Sequence, residues 1–244
     1  MFVYLLILLQ VIVLICLYIY HINTDLDSFV FLITNTLNPI YKYFSLIGDK
    51  IYYNNNTLEE SKILQKNWKM IRDEALSTYK NFSTIKGDLF FEDDVIKDGD
   101  KWKKLYFKWY GDIDEKAQKL CPKTSKLIES MPNIKLAMIS VLYPGAEILP
   151  HTGPYKGCLI HHLGLKTPNN DKCFISVDNK KYYWKDGEGI LFDDTRLHYV
   201  KNNTDEIRII LLCGIVRPMS FIGDTLNKIM LSIYGPITGK DRKN

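Results

Sequence analysis

The chain has 244 residues, of which 46% are hydrophobic and 25% charged, which is typical of one sizeable globular domain with a smaller segment beside it. The net charge is only +4, and no basic run is interleaved with aromatic residues, so a nucleic-acid partner is not favoured. The five cysteines are an odd number without CxxC spacing, which argues against a zinc knuckle and against a disulfide framework.

The first 20 residues form an uncharged apolar stretch, MFVYLLILLQVIVLICLYIY. A helix of this length spans a hydrocarbon core of about 30 Å, and the stretch lacks the basic start and cleavage site of a signal peptide. We therefore predict a transmembrane anchor over residues 1–20 and a single-pass membrane location. The first lysine after it, Lys42, is too distant to decide the orientation.

Residues 21–57 are predicted to be a juxtamembrane segment and linker. The stretch is apolar but is interrupted by Asn35, Asn38 and Pro39, so it is too broken for a second span. It either lies along the membrane interface or covers the domain. The following YYNNNT is typical of a linker.

The globular domain is predicted over residues 58–220, with a C-terminal tail over 221–244. LEESKILQKNWKMIRDEALSTYK has helical spacing of its apolar residues. CPKTSKLIESMP is predicted to be a second helix, with Pro122 in its first turn and Pro132 closing its end. Short segments of strand composition follow, separated by turn residues: IKLAMISVLYPG, GCLIHHLGLKTP, KCFISVDN, KKYYWKDGEG, GILFDD, LHYVKNNT and IRIILLCGIVRP. This pattern predicts a mainly β sandwich or barrel with the helices packed outside.

Three side chains in these strands point to chemistry. His151 and His198 each lie at a strand edge beside a turn, and two such imidazoles can converge on one metal, as in a non-haem iron site of two histidines and a carboxylate. Either histidine alone is as well explained by an ordinary hydrogen bond. Arg208 interrupts an apolar strand, an expensive position unless an anion pairs with it.

The spaced motifs PHTGPYKGCLIHHLGL and GEGILFDDTRLHYVKNNTDEIRIILL resemble the aspartyl/asparaginyl β-hydroxylase family. The resemblance covers roughly residues 58–220, including the two leading helices. It implies a double-stranded β-helix of the jelly-roll, cupin-like kind. It also implies a dioxygenase that uses Fe(II), 2-oxoglutarate and O2.

The same resemblance assigns the metal ligands. His151 and His198 are the implied iron ligands, and Gly153 falls where related dioxygenases have a carboxylate. Members of the family can have glycine there, so water or co-substrate would fill that coordination position. Asp193 and Asp194 are rival carboxylates, but aspartate also stabilises turns, and we interpret both as turn residues outside the metal shell.

Co-substrate contacts are likewise implied by the resemblance. Arg208 would bind the distal carboxylate of 2-oxoglutarate, with Ser140 as a hydroxyl partner, and His162 would contact the C1 end. The alternatives are an internal salt bridge for Arg208 and a backbone hydrogen bond for Ser140. His161 should face away from His162 in a strand and be structural or exposed, and we interpret Trp184 as packing.

The implied activity is hydroxylation of a C–H bond with release of succinate and CO2. The expected substrate is an Asp- or Asn-like side chain of a protein. A lipid acyl chain, a non-catalytic membrane-anchored binding module and a cupin-like zinc hydrolase are alternatives, and the hydrolase lacks a positioned nucleophile.

One departure from the family bears on the substrate. The family usually has arginine seven and nine residues after the first metal histidine, where this chain has Cys158 and Ile160. Either Lys156 or Arg196 replaces those cations, or the substrate is less acidic, and we favour the second interpretation.

Overall fold

The structure is a computed structural model that describes residues 33–83 and 99–238. The anchor predicted over residues 1–20 lies outside these ranges. Among the described residues, no helix combines the length and hydropathy needed to cross a bilayer. The predicted single-pass membrane location is corrected on that finding.

Six α-helices and eleven β-strands lie in the described residues. The helices are α1 (Asn38–Phe44), α2 (Glu59–Lys66), α3 (Trp68–Thr78), α4 (Glu115–Leu120), α5 (Pro122–Glu129) and α6 (Phe221–Thr238). The strands are β1 (Tyr52–Tyr53), β2 (Trp102–Trp109), β3 (Asp112–Ile113), β4 (Ile134–Leu142), β5 (Glu147–His151), β6 (Cys158–Lys166), β7 (Cys173–Val177), β8 (Lys180–Tyr183), β9 (Gly189–Phe192), β10 (His198–Asn202) and β11 (Arg208–Val216).

The strands form two antiparallel sheets. The larger has the order β1-β9-β6-β11-β4-β2-β3, and the smaller has the order β5-β10-β7-β8. Successive strands from β4 to β11 are thus divided four and four between the sheets, which is the arrangement of a jelly roll. The mainly β, jelly-roll prediction is confirmed by this topology.

The larger sheet separates a core from a cavity, because side chains alternate between its two faces. On β11, Ile209, Leu211 and Cys213 join a core that also includes residues of α2, α3 and α5, whereas Arg208 and Ile210 face the smaller sheet. The sheet therefore rests on helices on one side and presents its other side to the site.

The helical prediction over residues 58–80 is correct in type but is interrupted. Two helices, α2 and α3, meet at Asn67, whose backbone leaves the helical region. The Asn67 amide donates to the carbonyl of Ile63 at 2.8 Å, so the side chain competes with the helical backbone bonds. The second predicted helix is α5, which has Pro122 in its first turn.

The segments predicted as linker and tail are ordered parts of the fold. Tyr52–Tyr53 pairs with β9 as strand β1, and residues 221–238 form helix α6. Leu37 and Tyr41 are buried together with Met219 and Leu226. Of the two alternatives for the juxtamembrane segment, residues 33–44 therefore follow the second, since they cover the domain.

Candidate active site

A cavity lies between the two sheets, and both contribute side chains to it. His151 and His198 reach it from the smaller sheet, and His162 and Arg208 reach it from the larger one. Ser140 also lines it. The fold therefore brings together all five residues that the sequence singled out.

The two candidate metal ligands face each other across neighbouring strands. His151 on β5 and His198 on β10 are direct register partners, and their ring centroids are 4.2 Å apart. The Nδ1 atoms of His151 and His198 donate to the carbonyls of Leu149 and Arg196, both at 2.8 Å. A neutral imidazole protonated at Nδ1 has its lone pair at Nε2, so each ring is oriented to bind a cation through Nε2.

Burial keeps both rings neutral. It lowers the pKa of His151, and burial together with the neighbouring His151 lowers the pKa of His198 to about 4. Metal binding requires the unprotonated imidazole. The pair is therefore in its ligating form at neutral pH, and a donor set of two imidazoles is one that Fe(II) accepts.

A carboxylate lies where a side chain at position 153 would be. A Cβ on Gly153 would overlap the carboxylate of Asp194, and Asp194 also lines the cavity. Burial and the neighbouring Asp193 raise the pKa of Asp194 to about 7. Glycine at 153 thus makes room for Asp194, the one carboxylate among the described residues that lines the cavity.

Asp193 is engaged elsewhere. Its Oδ1 accepts from the Thr195 hydroxyl at 2.6 Å and the Thr195 amide at 3.1 Å, the bonds expected of a turn residue. Its Oδ2 accepts from Arg217 at 2.6 Å and from Lys156. Within residues 33–83 and 99–238 no cluster of three or more His, Cys, Asp or Glu side chains has the geometry to hold a metal ion.

Arg208 is a buried cation without a counter-charge among the described residues. Only 1% of it is exposed, and the alternative of an internal salt bridge finds no carboxylate partner in that part of the chain. Its Nη2 donates to Ser140 Oγ at 3.0 Å, its Cζ lies 4.8 Å from the centre of the Trp184 ring, and its Nε has no hydrogen-bond partner within the described ranges. Burial lowers its pKa to about 10, so it stays charged at neutral pH.

Ser140 is held as a donor toward the cavity. Its Oγ accepts from Arg208 and, at 2.8 Å, from Nε1 of Trp102. Both partners can only donate, so the Ser140 hydroxyl proton is left to point elsewhere. Arg208 and Ser140 together form a site for an anionic group.

His162 lies between aromatic rings with unsatisfied nitrogens. It is stacked 6.0 Å from Trp184 and meets Phe192 edge-on at 5.0 Å. Both of its ring nitrogens are buried without a hydrogen-bond partner among the described residues, and burial followed by Arg208 lowers its pKa well below the usual value. A neutral ring with two unused polar atoms suits a polar ligand in the cavity.

His161 points to the opposite face, as expected for its strand neighbour. It is fully buried, and its Nε2 donates to Asn55 Oδ1 at 2.8 Å. Of the two predicted alternatives, structural and exposed, the structural one is correct. Trp184 is buried as the packing interpretation requires, but it also stacks on Arg208 and so shapes the anion site.

The other end of the cavity is apolar. Beyond the histidine pair its lining includes Leu136, Leu212, Ile160 and Cys158. The Cys158 thiol is neutral, because burial raises its pKa to about 12. This end therefore presents no charge from the two positions where the family usually has arginine.

Neither proposed replacement cation serves this end. Lys156 pairs with Asp193 and lies 3.4 Å from Asp49. Arg196 pairs with Asp178 at 2.6 Å and with Asp49 at 3.1 Å. Both are held by carboxylates outside the cavity lining.

Two site residues were not identified from the sequence. Strand β2 was not predicted, so Trp102 was missed, although the aromatic residues of WKKLYFKW were a usable signal for a half-buried strand. Tyr155, which lines the cavity beside Gly153, gave no signal, because it lies in a loop whose partners are distant in sequence.

Comparisons with known proteins relate this chain to hydroxylases. A family model described as Aspartyl/Asparaginyl beta-hydroxylase matches residues 65–218, more than half of the chain. An ornithine lipid ester-linked acyl 2-hydroxylase of Rhizobium tropici is 29% identical over 200 residues, which are 78% of this chain and 69% of that protein.

The human aspartyl/asparaginyl beta-hydroxylase is 32% identical over 162 residues, which are 64% of this chain. The match spans only 21% of the human protein. Among solved structures, the cupin domain of Schizosaccharomyces pombe Cnp3 aligns with a TM-score of 0.35 and 13% identity, over 53% of this chain and 71% of that one.

Proposed function

Because this chain belongs to the aspartyl/asparaginyl β-hydroxylase family, we propose that it is an Fe(II)- and 2-oxoglutarate-dependent dioxygenase that hydroxylates a C–H bond. The observation that carries the proposal is Arg208, a guanidinium that is almost fully buried and has no carboxylate partner in the described residues. Burying an unpaired charge costs several kcal/mol. A dianionic co-substrate supplies the missing charge.

Arg208 and Ser140 bind the distal carboxylate of 2-oxoglutarate in this proposal. The planar guanidinium can offer two parallel N–H donors to a carboxylate. The Ser140 hydroxyl adds a third donor, because Trp102 and Arg208 already occupy its oxygen as an acceptor. His162 contacts the other end of the co-substrate through one of its unused ring nitrogens.

His151 and His198 hold the iron through Nε2, since backbone carbonyls fix the opposite ring nitrogens. When bound, Fe(II) with 2-oxoglutarate and O2 supplies the oxidation of an unactivated C–H bond, with succinate and CO2 as products. The chain itself orients the reactants and excludes bulk water. Asp194 beside Gly153 adds a carboxyl group to the cavity wall.

The substrate end favours an apolar chain over an acidic side chain. The expected protein Asp or Asn substrate requires a polar or charged partner, and a carboxylate buried without one is strongly disfavoured. Cys158 and Ile160 supply none, and Lys156 and Arg196 are already paired. The lipid acyl alternative fits these walls, and one relative bears the name of a lipid acyl 2-hydroxylase.

The test is turnover by the full chain. The protein is incubated with Fe(II), 2-oxoglutarate and either a lipid extract or Asp-containing peptides, and succinate and the gain of one oxygen atom are measured by mass spectrometry. We expect succinate and an oxygenated lipid, and neither product from His151→Ala combined with His198→Ala. Full activity of that double variant would refute the metal assignment, and no succinate from the wild type would leave the non-catalytic binding module.

A further inference from the structure

The loop of residues 152–157 forms one wall of the cavity. It connects the candidate ligand His151 to strand β6, and Gly153, Pro154 and Tyr155 line the cavity beside the histidine pair. A loop in this position determines how a substrate lies against the metal site. Its conformation therefore matters as much as that of the ligands.

Asn38, on helix α1, holds the first part of this loop. Its Nδ2 donates to the carbonyl of Pro154 at 3.0 Å, and its Oδ1 accepts from the amide of Lys156 at 2.9 Å. Only 7% of Asn38 is exposed. One buried amide thus satisfies a backbone acceptor and a backbone donor that are two residues apart.

Asn227, on helix α6, holds the second part. Its Nδ2 donates to the carbonyl of Gly157 at 2.8 Å, and its Oδ1 accepts from the hydroxyl of Tyr155. A Cβ at position 157 would overlap both Asn227 and the Tyr155 ring. The absence of a side chain at Gly157 is what lets the helix approach the loop.

The two helices act as one support. A Cβ on Gly223 of α6 would meet the Cβ of Phe44 on α1 at 2.5 Å, so the helices touch closely. Tyr41 of α1 packs edge-on against Tyr155 with ring centroids 5.7 Å apart. Both helices lie outside residues 65–218, the part of the chain that the family model matches.

We infer that Asn38 and Asn227 are positioning residues: through them helices α1 and α6 set the cavity wall formed by the 152–157 loop and thereby the seating of the substrate. The support of the loop by the two amides is independent of the activity, whereas its consequence for substrate seating rests on the proposed function. The alternative is that these two amides contribute only to global stability.

A matched control separates the two explanations. Asn202 is also fully buried, and its Nδ2 donates to the carbonyls of Leu142, Tyr143 and Glu206 at the far end of β10. Changing asparagine to an ionised aspartate removes a donor and adds a negative charge with almost no change in size. The same chemical loss can therefore be made at the wall, with Asn38→Asp and Asn227→Asp, and away from it, with Asn202→Asp.

The first measurement is amide hydrogen exchange of the full chain without metal or co-substrate. We expect exchange in residues 152–158 to rise about tenfold or more in Asn38→Asp and Asn227→Asp, because each leaves a buried carbonyl facing an oxygen. Asn202→Asp should accelerate exchange near Tyr143 and Glu206 and leave residues 152–158 unchanged. Equal acceleration of the 152–158 loop in all three variants, or no acceleration, would overturn the inference.

The second measurement uses turnover. We expect the affinity for 2-oxoglutarate to stay within about twofold of wild type in both wall variants, since Arg208 and Ser140 do not contact the loop. Oxygenated product per succinate should fall about fivefold or more, because the substrate is misplaced. An unchanged product ratio with a loosened wall would overturn the seating role.

A milder variant covers the case of poor folding. Tyr155→Phe keeps the ring in the cavity and removes the hydroxyl that donates to Asn227, so it should still accelerate exchange in residues 152–158. Protection equal to wild type in this variant would contradict the support by Asn227. If the wild type produces no succinate, the proposed function fails, while the exchange measurements still decide the inference.

Discussion

Two buried arginines lie at the two ends of strand β11 and differ in whether a carboxylate of the described residues pairs with them. Arg217 follows the strand, and each of its three nitrogens has an acceptor: Lys156 O at 2.8 Å, Tyr53 Oη at 3.0 Å and Asp193 Oδ2 at 2.6 Å. Arg208 begins the strand and has one hydroxyl and one aromatic face. Both are 1% exposed.

This difference indicates separate roles: Arg217 supports the fold, and Arg208 is suited to binding a ligand. Arg217 ties the Asp193 turn and the 152–157 loop into the fold, so its charge is neutralised within the chain. Arg208 is buried without a carboxylate partner among the described residues, which is unfavourable for the fold alone and suitable for an anionic ligand. Removal of each arginine should therefore change a different property.

The largest effect is expected at the paired arginine. Arg217→Met leaves Asp193 buried with Lys156 as its remaining cation, and breaking a buried pair in this way costs about 3–5 kcal/mol. We expect a loss of this size in the free energy of unfolding, measured by urea denaturation. A loss below about 1 kcal/mol would show that Lys156 alone compensates Asp193.

The next effect is on binding at the unpaired arginine. Arg208→Met should leave the free energy of unfolding within about 1 kcal/mol of wild type or raise it, because it removes a buried charge that has no counter-ion. The dissociation constant for 2-oxoglutarate, measured by calorimetry, should rise about a hundredfold, the order expected for lost charge-assisted hydrogen bonds.

Arg208→Lys provides the matched control, and it should recover only part of the affinity, because an ammonium cannot replace the planar fork. Unchanged 2-oxoglutarate affinity in both variants would make Arg208 a structural residue. Strong destabilisation of both variants would contradict the distinction between the two arginines.

Arg208 could be identified from the sequence, because an arginine in an apolar strand is anomalous by itself. Arg217 could not be identified in this way, because it precedes a proline at the end of the strand, where a charged residue is not unusual. The partner that defines Arg217, Asp193, is 24 residues away, and its turn composition hid the ion pair. The unusual position of Arg208 was predictable from the sequence, but the neutralisation of Arg217 by Asp193 was not.

A mainly β sandwich or barrel was predictable because turn residues separate segments of strand composition, and the family resemblance implied the jelly roll. The opposition of His151 and His198 was expected from the family resemblance, and the register of β5 with β10 supplies its physical basis. The support of the 152–157 loop by helices α1 and α6 was not predictable. Asn38 contacts the loop across 116 and 118 residues, and no local pattern encodes such a contact.

The third prediction concerns acid stability, which should depend on the paired arginine. Arg217 and Lys156 hold the pKa of Asp193 below its usual value, despite burial. A depressed pKa stabilises the fold above the unfolded value of about 3.9, and this contribution is lost as the pH falls through the folded value. We expect the urea midpoint to fall below about pH 4.

Asp193→Asn is the control, and it should flatten this slope. Asp49, whose pKa is lowered to about 2 by Lys42, Lys156 and Arg196 against the effect of burial, leaves a residual slope. Asp194 acts in the opposite direction, because its folded pKa of about 7 makes the fold more stable as the pH falls toward the unfolded pKa of about 3.9. An equally steep slope in Asp193→Asn would place the acid sensitivity elsewhere.

The smallest expected effect comes from placing new arginines in the cavity. Cys158→Arg combined with Ile160→Arg introduces two guanidiniums at the apolar end, and Asp194 is the one carboxylate among the described residues that lines the cavity. Like Arg208, they should acquire a binding role toward an anion. We expect turnover of Asp-containing peptides to rise about threefold or more, limited by an overpacking cost of about 1–3 kcal/mol, and turnover of an acyl substrate to fall.

Ile160→Met, similar in length and uncharged, should leave the peptide rate unchanged. Efficient hydroxylation of such peptides by the wild type would show that a carboxylate is accommodated without these cations, and the preference for an apolar substrate would then be wrong.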